Sequence, residues 1–289
     1  IFGGATLTLY FANIAVLSVS SVCHKIIMRG ENMIKICIKG ALGRMGQGLV
    51  QEVIDDKDTQ LAGAVDVSDV SKIGKDAGSG ILLSDSLEKV IKDCDVIIDF
   101  SSPESTMETL DLAEKYKKKV VIGTTGLGDK EKKRIEEVSK KTACLFAANM
   151  SIGVNLLLKI LGDVAKSLGD DFDIEIVEAH HRFKKDAPSG TALALAEAIA
   201  KGVGRDLKKV GVYGRHGMVG QRDRKEIGIH ALRAGDIVGE HTITFGGIGE
   251  RIEITHKAHS RQTFVKGAVR AAKFLADKKV GLFSMQDVI

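Results

Sequence analysis

Met33-Ile34-Lys35-Ile36-Cys37-Ile38-Lys39-Gly40-Ala41-Leu42-Gly43-Arg44-Met45-Gly46 decides how the rest of this 289-residue chain is read. Residues 33–38 are a short apolar run of strand character, and residues 47–55 carry a helical pattern. Strand, glycine turn and helix, in that order, make a glycine motif credible as a dinucleotide site. The glycines let backbone N–H groups at the helix N-terminus approach a pyrophosphate. The spacing is GxxGxxG, not the commoner GxGxxG, so the motif alone would equally suit a turn made for helix packing. A second strand, residues 60–65, adds the discriminating feature. It ends at Asp66, twenty residues beyond Gly46, where an acid can accept hydrogen bonds from an adenosine ribose. Val67 follows that acid, and nothing basic appears before Lys72, which favours NADH without excluding NADPH.

Further strands are expected at 95–100, 119–122 and 143–147, alternating with helices at 87–92, 106–117 and 129–140, while 68–84 reads as a loop. That alternation predicts an α/β fold with a Rossmann-type, doubly wound parallel sheet. Ligands bind beyond the carboxyl ends of such strands. Ser101, Thr124, Thr125 and Asn149 follow strand ends here and point to a cofactor cleft.

The organisation changes near Ser151. A helix at 154–168 and a strand at 174–177 lead into Glu-Ala-His-His-Arg-Phe-Lys-Lys-Asp-Ala-Pro-Ser-Gly-Thr, residues 178–191. Five side chains that are or can become cationic lie within six positions: His180, His181, Arg182, Lys184 and Lys185. Pro188, Ser189 and Thr191 are start signals for an alanine- and leucine-rich helix to Ala200. The free N–H groups of its first turn would form an anion site beside two imidazoles and two ammonium groups. A solvated basic loop before a capped helix would look the same in isolation. Beside a dinucleotide motif, it suits a small carboxylate-bearing substrate with a proton donor at hand. Segments 226–232, 237–238, 241–245 and 251–256 read as strands of an open mixed or antiparallel sheet whose apolar face would drive sheet-on-sheet oligomerisation. A helix at 263–276 and a tail to 289 follow.

Composition excludes several classes. With 44% hydrophobic and 28% charged residues the chain is of ordinary globular make-up, and a net charge of +4 gives no footprint for nucleic acid. Of the cysteines, none stands in CxxC spacing, and Cys37, Cys94 and Cys144 lie in apolar runs that suit buried thiols in a reducing cytoplasm. No metal is expected. His180 and His181 are adjacent on an extended segment and point to opposite faces, with no carboxylate or thiol completing a set. Residues 1–23 carry no charge and approach the length of a membrane span, but Gly3, Gly4, Asn13 and several serines and threonines dilute them. Residues 1–32 are therefore read as an extension outside the fold, which would start near Met33, and no membrane partner is expected.

The chain resembles the 4-hydroxy-tetrahydrodipicolinate reductase (dihydrodipicolinate reductase) family of the diaminopimelate and lysine pathway, from Met33 onward. Residues 178–191 look like that family's signature. Gly40 to Gly46, Asp99-Phe100-Ser101, Gly123-Thr124-Thr125-Gly126, the segment from Arg233 to His241 and the segment from Gly249 to Lys257 fall in family order. The resemblance implies an NADH- or NADPH-dependent reduction of a cyclic dicarboxylate. His180 would be the catalytic proton donor and Lys184 a second one, with His181, Ser189, Gly190 and Thr191 binding substrate. Gly40, Ala41, Leu42, Gly43, Arg44 and Met45 would hold the pyrophosphate and Asp66 the ribose. Gly123, Thr124, Thr125, Ala147, Ala148, Asn149 and Met150 would line the nicotinamide side, with Met150 where the family often has Phe. It further implies a homotetramer, a dinucleotide-binding domain at 33–150 to which 262–289 returns, and a substrate-binding and oligomerisation domain at 151–261. Two other readings fit the glycine turn alone: another two-domain oxidoreductase acting on an amino or hydroxy acid, and a dinucleotide-sensing regulator. Neither accounts for 178–191.

Overall fold

The computed structural model describes residues 33–289, so the reading of residues 1–32 lies outside the described residues. Eight strands form one sheet. In chain order they are β1 (Ile34–Lys39), β2 (Thr59–Val65), β3 (Asp76–Gly78), β4 (Ile81–Ser84), β5 (Val96–Asp99), β6 (Lys119–Ile122), β7 (Ala143–Phe146) and a last strand, Gly281–Phe283. Starting from that last strand, the spatial order is β7, β6, β5, β1, β2, β4, β3. All neighbours are parallel except the β3–β4 hairpin. Both faces are covered, as a parallel sheet requires. Ile36 and Ile38 face one core with Leu49 and Val53 of α1 (Arg44–Asp55), and Cys37, Ile97 and Val120 face another. That second core includes Leu110 of α2 (Pro103–Tyr116) and Ile135 and Val138 of α3 (Asp129–Ser139). Each such fully buried aliphatic side chain contributes about 1.5–3 kcal/mol.

The second sheet contains β8 (Asp173–His180), β9 (Gly211–Val212), β10 (Ile227–Arg233), β11 (Gly239–Gly246) and β12 (Arg251–Ala258), in the order β12-β11-β8-β10-β9. It is mixed: β10 runs parallel to β8 and β9, and β11 antiparallel to β8 and β12. Its apolar face is covered by two helices that flank β8 in the chain, α4 (Ile152–Leu168) and α5 (Gly190–Gly202), which bury Ile176, Ile229, Ile243 and Phe245. The opposite face is more polar than the sequence suggested. Glu175 accepts from Arg215, Arg222 and His230 there, and Thr242 pairs with Thr255. Val177 and Leu232 are exposed apolar residues on that face.

The chain then returns. The helix α6 (Gln262–Ala276) packs Val265, Ala268, Val269 and Leu275 into the core of the first sheet, and β13 (Gly281–Phe283) pairs with β7. Three local expectations are corrected. Residues 68–84 contain the β3–β4 hairpin, because Gly78 and Gly80 at positive φ supply its tight turn. Ile237 and Val238 lie outside any strand, in the connection to β11. The tail, to which the sequence reading assigns no element, carries β13, which extends the sheet.

Candidate active site

The glycine turn is dictated by close approach. Gly40 has φ +84°, and a Cβ there would lie 2.4 Å from the Phe100 carbonyl oxygen; at Gly46 it would lie 1.9 Å from the Gly40 oxygen. No side chain caps α1, so its first-turn N–H groups remain available to an anion. At the end of β2, Asp66 accepts from the N–H of Leu42 at 2.8 Å and of Ser68 at 2.8 Å. Burial raises the Asp66 carboxyl, but the hydrogen bonds from Ser68, Leu42 and Val67 outweigh it and hold the group below its usual range. Asp66 is therefore an ionised acceptor. These residues could hold a dinucleotide, with pyrophosphate against the uncapped turn and a ribose against Asp66.

Gly43, Arg44, Met45, Gly123, Thr124, Thr125, Ala148, Asn149 and Met150 line one cavity of ≈ 470 Å³, together with Phe100 and Ser101. The Phe100 ring lies so close under Gly123 that a Cβ there would come within 2.1 Å of it. Ala41 and Leu42 do not reach this cavity. They line a separate groove with Lys72 and Lys75. Thr124 is buried and faces inward: its hydroxyl meets Thr106 at 2.9 Å and the N–H of Ser101 at 3.2 Å. Met150 is buried against α6, where its carbonyl would collide with any Cβ on Gly267. Asp99 belongs to the same cluster; the segment it opens carries part of the resemblance, but the sequence assigns it no role of its own. It is fully buried, accepts from Ser101, and burial pushes its carboxyl upward.

A second cavity of ≈ 680 Å³ opens beside the first and shares Thr125, Ala148 and Asn149 with it. His180, Lys184, Ser189, Gly190 and Thr191 line it from the other side. His180 is the last residue of β8. A strand's period of two places Glu178 on the same face, and the Glu178 carboxylate meets His180 Nδ1 at 2.6 Å. Glu178 is fully buried and also accepts from both terminal nitrogens of Arg233, at 2.9 and 2.8 Å, and from the N–H of Ser189 at 2.9 Å. Burial raises the Glu178 carboxyl, but these donors outweigh it and keep it ionised. Arg233 lies opposite His180 in the β10–β8 register, and His241 opposite Glu178 in the β11–β8 register. His241 is buried, stands edge-on to the His180 ring at 5.3 Å and contacts the Ser189 hydroxyl at 3.2 Å. Burial and the nearby His180 push its imidazole down to about 4, so it is neutral at pH 7.

His180 itself titrates below its ordinary value. Burial is the largest cause, opposed by Glu178 and reinforced by Lys184 and Arg233. The neighbouring cations are the lesser influence. Lys184 pairs with Asp186 at 2.9 Å at the cavity wall. Ser189 caps α5 by accepting from the N–H of Ala192, which leaves the N–H groups of Gly190 and Thr191 without intrahelical partners at the cavity. His181 is not among the residues lining either cavity; its ring lies 6.3 Å from that of Phe183. Glu178 stands in the 178–191 stretch, but with the strand read as ending at 177 it is assigned no role. Arg233 and His241 are 55 and 52 positions from their partners, and only strand order brings them in.

A doubly wound sheet with an uncapped glycine turn, opening onto a cavity that holds a histidine paired with a buried carboxylate, is the architecture of a nucleotide-binding oxidoreductase. Residues 34–150 match the N-terminal model of dihydrodipicolinate reductase and residues 153–289 its C-terminal model. The chain is 54% identical over 264 residues to 4-hydroxy-tetrahydrodipicolinate reductase of Hahella chejuensis, covering 89% of this chain and 99% of that protein. It is 51% identical to the enzyme of the same name from Cupriavidus metallidurans, covering 88% and 98%. Among solved structures it is similar to dipicolinate-bound dihydrodipicolinate reductase from Paenisporosarcina sp. TG-14, at 26% identity and TM-score 0.73, covering 89% and 100%. The chain belongs to the dihydrodipicolinate reductase family.

Proposed function

We propose that this chain carries out its family's reaction, the NAD(P)H-dependent reduction of 4-hydroxy-tetrahydrodipicolinate, via dihydrodipicolinate, to tetrahydrodipicolinate in diaminopimelate and lysine biosynthesis. The observation that carries this reading is the shared cavity, lined on one side by Thr125 and Ala147 to Asn149 and on the other by His180, Lys184, Gly190 and Thr191. Gly123 to Thr125 and Ala148 to Met150 would hold a reduced nicotinamide, which would supply the hydride. Gly190 and Thr191, with Lys184 beside them, receive a substrate carboxylate. The second anionic charge of the substrate raises the affinity of half-buried His180 for a proton, which the Glu178 carboxylate at Nδ1 stabilises. His180 then protonates the electron-rich ring left by hydride addition, with Lys184 as a second donor. His241, neutral and wedged against Ser189, packs the imidazole in place.

Asp66 favours NADH. Lys72 and Lys75 in the groove behind Leu42 leave NADPH accessible as well. The division into 33–150 with 262–289, and 151–261, follows the two sheets. The open face of the second sheet is the surface through which we place a homotetramer. The reading includes a cytoplasmic location and no metal, nucleic-acid or membrane partner. Among the described residues no group of three or more metal-binding side chains occurs, and no helix is long and apolar enough to cross a membrane. The test is substrate-dependent loss of reduced-nicotinamide absorbance, with substrate made in situ from pyruvate and aspartate semialdehyde by a coupled synthase. Turnover should fall by about 10²–10⁴ in His180→Gln. Near-normal turnover in that variant removes His180 from its role, and cofactor binding without any decay removes the substrate.

A further inference from the structure

A chain of amide hydrogen bonds runs along one wall of the larger cavity and joins the two sheets. Its centre is Asn155, in the first turn of α4 and almost fully buried. Both protons of its side-chain amide are used: one goes to the Asn149 carbonyl at 2.8 Å and one to the Ser151 carbonyl at 2.8 Å. The turn 149–151 is thereby closed. Within it, Asn149 Oδ1 accepts from the N–H of Ser151 at 2.9 Å, which fixes the orientation of the Asn149 amide. Its Nδ2 then points across to Thr191 Oγ1 at 3.0 Å. On the far side, Gln286 of the returning segment donates to the Asn155 carbonyl at 3.0 Å.

The hydroxyl of Thr191 has one proton and two lone pairs. Asn149 fills a lone pair, so the proton remains for another acceptor. Thr191 lines the cavity next to Gly190 and Lys184, and on the reading given above that acceptor would be a carboxylate of the substrate. We propose that Asn155 is a positioning residue: by closing the turn 149–151 it aims Asn149 at Thr191, and so holds the substrate-binding end of α5 in register with the strand end beside the nicotinamide. The inference rests on the reading of the cavity given above. Asn155 touches neither reactant in this role. Its effect is on the distance and angle between hydride donor and acceptor, to which rates are sensitive at the 1 Å level.

Asn155→Asp keeps the side chain's size, removes both donors and sets a carboxylate against two carbonyls. Asn155→Ser removes the same donors without adding charge and serves if the aspartate variant fails to fold. For the folded variant, kcat should fall about 10- to 100-fold. KM for the dicarboxylate should rise, and the primary isotope effect with 4-deuterated NADH should grow as hydride transfer becomes limiting. NADH affinity, read from its fluorescence on binding, should stay at the wild-type value. Gln286→Ala leaves the Asn155 amide in place and should keep the wild-type isotope effect. A merely structural Asn155 would lower the melting temperature while leaving KM and the isotope effect of the folded fraction unchanged, and that result overturns the proposal. Loss of NADH affinity alone also overturns it. A wild-type chain that does not reduce the dicarboxylate refutes the reading of the cavity instead.

Discussion

Replacing Glu178 by Gln separates the orientation of His180 from its charge. Gln keeps the shape and one acceptor but removes the anion 2.6 Å from Nδ1. A hydrogen bond to a charged partner contributes about 1.5–3 kcal/mol, which is about 1–2 units of pKa at 1.36 kcal/mol per unit. Glu178 raises the proton affinity of His180, and Arg233, relieved of its partner, lowers it further. Both effects have the same sign. His180 already titrates below its ordinary value, so the acid form is a minority at pH 7 and shrinks about tenfold for each unit of further decrease. The dependence of kcat/KM on pH should therefore keep its basic limb but move it to lower pH by about 1–2 units. At pH 7 activity should drop about 10- to 100-fold and recover on acidification. The assay is kcat/KM for the dicarboxylate from pH 5 to 9, at a temperature below the variant's own melting transition. A basic limb coinciding with that of wild type would refute the role of the carboxylate.

Lys184→Ala should reduce turnover while NADH affinity, measured by fluorescence, stays unchanged, since Lys184 lies on the substrate side of the cavity. Gly46→Ala should abolish dinucleotide binding or folding, because its methyl group would lie 1.9 Å from the Gly40 carbonyl and 2.7 Å from the Ala41 backbone; soluble protein with normal NADH affinity would contradict that geometry. Phe245→Ala, in the core between β11 and the helices, should cost about 3–5 kcal/mol in denaturant unfolding.

The first half of the fold was legible because its signals are local. Strand, glycine turn, helix and a following acid fall within 34 consecutive residues, and the alternation after them repeats the same unit. The β3–β4 hairpin escaped because its strands are only three and four residues long and are separated by a glycine turn. The site divides along the same line. The cluster at 178–191 is continuous in the chain and its chemistry could be named from it. Glu178 stood in that stretch, but its pairing with His180 follows only when β8 is extended to residue 180. Arg233 and His241 sit on β10 and β11, and no spacing rule places those strands on either side of β8. His181 shows the converse: the family resemblance implied a substrate role for it, and the turn after β8 leaves it outside the lining of both cavities.

The return of residues 262–288 to the first sheet has a consequence for synthesis. The core against β1 and β5 includes Val265, Ala268, Val269, Leu275, Met285 and Val288, so it cannot close when β7 leaves the ribosome. The second sheet and its helices, complete by Ala258, can form while the nucleotide half is still open along one face. The order of translation and the order of folding are therefore opposed, and a nascent chain interrupted after β12 would hold the histidine–carboxylate pair without a stable dinucleotide cleft beside it.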